Sequence, residues 1–112
     1  MDFPEIEQKM REAVTKIETV GHAYADAKAL SWLLQEQRKV VLATQMAKSE
    51  AKSINGKELD ALQSEEYKTH LEGTKEAIAD EHRLKATSER WYAQWESCRS
   101  LLSLEKKKME TI

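Results

Sequence analysis

Apolar residues recur through the first part of the chain in alternating steps of four and three: Ile6, Met10, Ala13, Ile17, Val20, Tyr24 and Ala27. That spacing is the heptad seam of one helix laid along another. Pro4 suits the first turn, where its missing N–H would be an orphan anyway, and Asp2 and Glu5 suit the positive end of the helix dipole. The pattern therefore predicts a helix over about 4–52. From Leu30 the stripe shifts and widens through Leu33, Leu34, Val40 and Val41, which predicts contact with more than one neighbour there.

Ser53-Ile54-Asn55-Gly56 is the one clear break, with Asn-Gly favouring a positive φ. Leu59 and Leu62 predict a short helix inside a connection of about 53–64. Ser64, followed by Glu65 and Glu66, reads as the cap of a second long helix over about 65–110. Its expected seam begins with Tyr67, Leu71, Thr74 and Ile78 and is interrupted by Glu81. It resumes with Leu84, Ser88, Trp91, Trp95, Cys98, Leu102 and Met109.

Two helices of about equal length joined by one short connection fold back most simply as an antiparallel hairpin. The expected architecture is thus all-α, a single coiled-coil-like hairpin domain over 1–112. Placing residue 52 opposite 65 brings Tyr24 near Tyr92 and sets the stripe's shift near the second helix's interruption. Gly21 and Gly73 fall inside the helices, at a cost of about 1 kcal/mol each relative to alanine. Trp32, Leu33, Val40, Leu101 and Leu104 lie off the seam and need another surface. Self-association is expected from them, most simply as a two-fold dimer forming a four-helix bundle.

Composition supports long helices: 34% of the residues are charged and only one is proline. The formal net charge of -2 mixes both signs along the chain, so no global field draws it to nucleic acid or anionic lipid. Cys98 is the only cysteine, which excludes an intramolecular disulfide. The opening MDFPEIEQKM lacks a signal peptide's basic start and apolar core, and no apolar run approaches a membrane span. The expectation is a soluble protein of the cytoplasm, or of a virus assembled there, with no membrane contact.

Signals for chemistry are few. Glu18 and His22, and likewise Glu66 and His70, sit four apart, a spacing that suits surface hydrogen bonds better than metal ligands. His82 falls among Asp80, Glu81 and Arg83 on a charged face. Cys98 lies mid-helix on the seam, where a thiol behaves as a small buried hydrophobe. With no phosphate loop and no nucleophile-base pattern, the expectation is a protein that is not an enzyme, with no catalytic residue, metal or cofactor. Trp91, Tyr92 and Trp95 are the most distinctive cluster. Packing or oligomer contact is their main reading, and stacking on single-stranded bases beside Arg90 and Arg99 is the other. Arg90, Arg99, Lys106, Lys107 and Lys108 are the candidate phosphate contacts.

Tyr24-Ala25-Asp26-Ala27-Lys28-Ala29, Leu34 and Arg38-Lys39 are followed by Ser64-Glu65-Glu66-Tyr67-Lys68-Thr69-His70-Leu71-Glu72-Gly73, Lys75-Glu76-Ala77 and Trp95-Glu96-Ser97-Cys98-Arg99. In this layout the chain resembles a family of small bacteriophage proteins associated with early-region genes for single-strand annealing recombinases and single-strand binding proteins. Where that family has tryptophan directly before arginine, three residues separate Trp95 from Arg99. The resemblance implies a non-catalytic accessory protein that supports DNA recombination or replication by binding a phage or host protein, with weak contact to single-stranded DNA at most. Two other roles suit a long hairpin: a phage inhibitor of a host defence enzyme or nuclease, and a structural virion or scaffolding component.

Overall fold

The computed structural model describes residues 2–110, and among them every regular element is a helix. Helix α1 spans Phe3–Lys48, α2 spans Ile54–Leu62 and α3 spans Glu65–Glu110, giving the expected all-α helical hairpin. Local chemistry sets most of the ends. Asp2 caps α1 by accepting the Glu5 N–H at 2.9 Å, and Ser64 caps α3 by accepting the Tyr67 N–H at 3.2 Å.

Helix α1 stops at Lys48, short of the expected 52. The Ser49 hydroxyl is the reason: it accepts the Ala51 N–H at 3.1 Å and donates to the Asp60 carboxylate at 2.6 Å, taking the backbone out of the helical ladder. Asn55-Gly56 is no turn either, and no described residue has a positive φ. Both residues lie in the first turn of α2, capped by Ser53, whose side chain accepts the Gly56 N–H. A Cβ at Gly56 would meet Ala51 Cβ and Ser53 Oγ at 3.0 Å each, so a larger residue there requires those neighbours to give by a few tenths of an ångström. A Cβ at Gly21 or Gly73 would meet nothing, so those two are tolerated glycines.

The chain divides into two compact units, residues 1–25 with 82–112 and residues 26–81. In the second, Ala27, Ser31, Leu34, Val41 and Gln45 of α1 turn inward, as do Tyr67, His70, Thr74, Ala77 and Glu81 of α3. The α1 stripe therefore keeps its heptad phase where a shift was expected, and Leu30 and Leu33 stay exposed. Ser31 is completely buried, its Oγ accepting from Gln35 Nε2 at 3.0 Å. A small hydroxyl satisfied along its own helix can occupy a seam position that a hydrophobicity pattern assigns elsewhere. In α3 the inward face takes His70 in place of Leu71 and buries Ala77 beside the half-buried Ile78, and Glu81 is half-buried on it without interrupting it.

The register also differs from expectation. His70 Nε2 lies 2.9 Å from the Leu34 carbonyl oxygen, which can only accept, so Nε2 carries the proton. The expected register put Arg83 opposite Leu34. With Leu34 opposite His70, Glu65 falls opposite Lys39, so residues 40–48 run past the start of α3. Helix α2 folds back to fill that gap. Its Ala61 is buried, Asp60 holds Ser49, and Gln45 in the overhanging turns is buried.

In the first unit Ile6, Ala13 and Cys98 are buried, with Met10, Ile17, Val20 and Tyr24 half-buried on α1. Leu84, Ser88, Trp91, Trp95, Leu102 and Glu105 continue the α3 seam, whereas Met109, expected on it, is exposed.

Candidate functional site

Three surface depressions lie in the first unit. One is lined by Arg99, Ser100, Ser103, Leu104 and Lys107 and another by His82, Lys85, Ala86 and Glu89. Each of these belongs to α3 alone and is a shallow dip in a single helix surface. The third, about 300 Å³, is formed by two helices, Lys9 and Glu12 from α1 with Arg90, Trp91 and Gln94 from α3. We take it as the candidate groove because, of these three, it is the one lined by two helices. It again departs from the expected register, which would have put residues 105 and 108, not 91 and 94, across from Glu12 and Lys9.

Trp91 forms the apolar wall of the groove. It occupies a seam position and is half-buried, so part of its indole remains accessible beside the Arg90 and Lys9 cations and the Glu12 carboxylate. Trp95, one turn further on, is also half-buried. Arg99 lies over its ring at 5.7 Å and bonds the Glu96 carboxylate at 2.9 Å, a cation–π contact reinforced by an ion pair. Tyr92 points away from the seam and is exposed.

The candidate phosphate contacts thus fall into different settings. Arg90 joins the groove, Arg99 is engaged with Trp95 and Glu96, and Lys108 lies 3.4 Å from Glu105. Lys106 is exposed, and Lys107 and Lys108 sit in the last turn of α3, where positive charge suits the helix dipole. Lys9 was missed by reading the sequence. It looks like any surface lysine until the register sets it against Gln94.

Comparison with family models, with characterised proteins and with solved structures gives no match.

The candidate interface residues outside the seam share two stripes. Leu30, Leu33 and Val40 are exposed on α1, with Trp32 exposed beside them. Leu101 and Leu104, three apart and therefore on one face, are exposed on α3. Both stripes flank their helix's seam.

Of the titratable candidates, His70 is committed to the Leu34 carbonyl, not to Glu66, and Cys98 is buried. His22 and His82 are exposed. Among the described residues no three His, Cys, Asp or Glu side chains are grouped to hold a metal ion, and no helix is long and apolar enough to cross a membrane.

Proposed function

We propose that the chain is a non-catalytic binding protein that self-associates and docks on a second protein. The observation that carries this reading is the inversion of its apolar residues. Ser31, Gln45, His70 and Ser88 turn inward while Trp32, Leu33, Val40, Leu101 and Leu104 face solvent. Exposed large apolar groups gathered on stripes are what an interaction surface requires.

For the second protein, Leu101 and Leu104 are the anchor, with the groove at Trp91 further back on the same unit, where Lys9, Arg90 and Lys107 outnumber the Glu12 carboxylate. An apolar patch with basic neighbours fits a partner with an acidic margin. The resemblance of the sequence to phage early-region proteins directs the choice of partner to DNA recombination or replication. Reconstitution is the test. Mixed with the single-strand annealing recombinase or single-strand binding protein of its own phage, the chain is expected to co-elute stoichiometrically, and Leu101→Glu with Leu104→Glu to abolish the complex. A stoichiometric complex with a host nuclease instead makes the protein an inhibitor.

DNA binding is expected to be weak, because Arg90, Lys9 and the terminal lysines neutralise only a few phosphates on each chain. Titration of labelled single-stranded oligonucleotide should give micromolar or weaker affinity without sequence preference. Affinity should fall with salt at ~0.7 logarithmic units per phosphate engaged. Nanomolar binding that survives physiological salt overturns this expectation and makes the chain a DNA-binding module.

A further inference from the structure

We propose that α2 is a releasable strap, which opens as one piece while α1 and α3 of residues 26–81 stay paired, and that the Ser49–Asp60 hydrogen bond is its latch. Little else ties α2 down. A helix of nine residues does not persist in water by itself, so α2 must draw its stability from packing. Yet Ala61 is its one buried residue, while Ile54 is 75% exposed, Leu59 55% and Leu62 41%. Its charges also oppose it. Lys57 lies in the first turn and Asp60 in the last, each at the like-signed end of the helix dipole, with no acidic residue in the first turn and no basic one in the last.

Asp60 is therefore unfavourable to α2 taken alone, and what it contributes must come from what it holds. Among the described residues, the bond it accepts from the Ser49 hydroxyl at 2.6 Å is the one side-chain hydrogen bond joining α2 to the end of α1. A carboxylate acceptor makes that bond charge-assisted and strong. The same hydroxyl accepts the Ala51 N–H at 3.1 Å, so the latch also keeps residues 49–52 out of α1. Ser49-Glu50-Ala51-Lys52 contains neither proline nor glycine, and once the latch is open α1 can grow through it by about one turn. Opening is thus an exchange in which α2 leaves, α1 lengthens and the overhanging turns at Gln45 are uncovered. A partner that binds one of the two states better draws the chain into it.

Amide hydrogen exchange of Asp60→Ala tests the latch. Alanine is the better helix former and removes a carboxylate from the negative end of the dipole, so helix chemistry alone predicts a more stable α2. The latch predicts the reverse. The amides of residues 57–63, bonded within α2 and its caps, should exchange about tenfold faster or more, the loss expected for one charge-assisted hydrogen bond. Exchange at 34–45 and 67–78 should stay at its wild-type rate, and the Cα chemical shifts of 49–52 should move toward helical values. Ser49→Ala should match Asp60→Ala in exchange, and the double variant should be no worse than either, because both remove the same bond. Ser49→Thr keeps the hydroxyl and should behave as wild type. Unchanged or slower exchange at 57–63 in Asp60→Ala, additive effects of the two substitutions, or equal acceleration along α1 and α3 would each overturn the proposal.

Discussion

Tyr67→Ala is expected to lower stability by about 3–5 kcal/mol, the usual cost of truncating a buried aromatic side chain. Tyr67 is 4% exposed and, with Ala61 and Ala77, makes up the buried apolar set of residues 26–81. It also sits in the first turn of α3, directly behind the Ser64 cap that accepts its own N–H. Removing the ring leaves a cavity in a unit whose other buried apolar residues are the small Ala61 and Ala77. Tyr92→Ala is the matched control, since Tyr92 is 55% exposed and its loss should cost about 0.5 kcal/mol or less. With urea m-values of about 1–3 kcal/mol/M, the Tyr67 variant should unfold at least about 1 M earlier. Equal midpoints for the two variants would show that Tyr67 does not hold this unit together. Following hydrogen exchange in parallel matters here, because two compact units need not unfold in one step.

Ala77→Glu is expected to be the more damaging of a second pair and Leu71→Glu the milder, the reverse of what hydrophobicity alone suggests. Ala77 is 5% exposed on the α3 seam, and a carboxylate there is buried without a partner, at a cost on the order of 3–5 kcal/mol. Leu71 is 41% exposed, so the transfer term lost there is about 1 kcal/mol. Thermal denaturation of both variants discriminates the two possible phases of the seam. A phase through Leu71 and Ile78 would make Leu71→Glu the destructive change. The phase observed, through His70, Thr74 and Ala77, puts the damage on the alanine.

Local chemistry in the chain was enough to specify two long helices, their antiparallel return, the cap at Ser64, and the first helix's inward face from Ile6 to Ala27. Each of these depends on interactions within a few residues or on one unbroken apolar period, and both leave marks in a single segment. What required the folded chain was the partner of each face. Inward positions in a helix pair follow from the continuity of the 3.5-residue period, not from the hydrophobicity of each residue, so Ser31, His70, Ala77 and Glu81 hold seam positions while Leu30, Leu33 and Leu71 do not. Register was decided by the tertiary arrangement too. Ser49 ends α1 early by bonding Asp60, and α2 folds back beside the overhanging turns, so His70 meets Leu34 and Lys9 meets the Trp91 groove. The bond from the Ser49 hydroxyl to a carboxylate eleven residues away depends on where α2 lies, which no local pattern records.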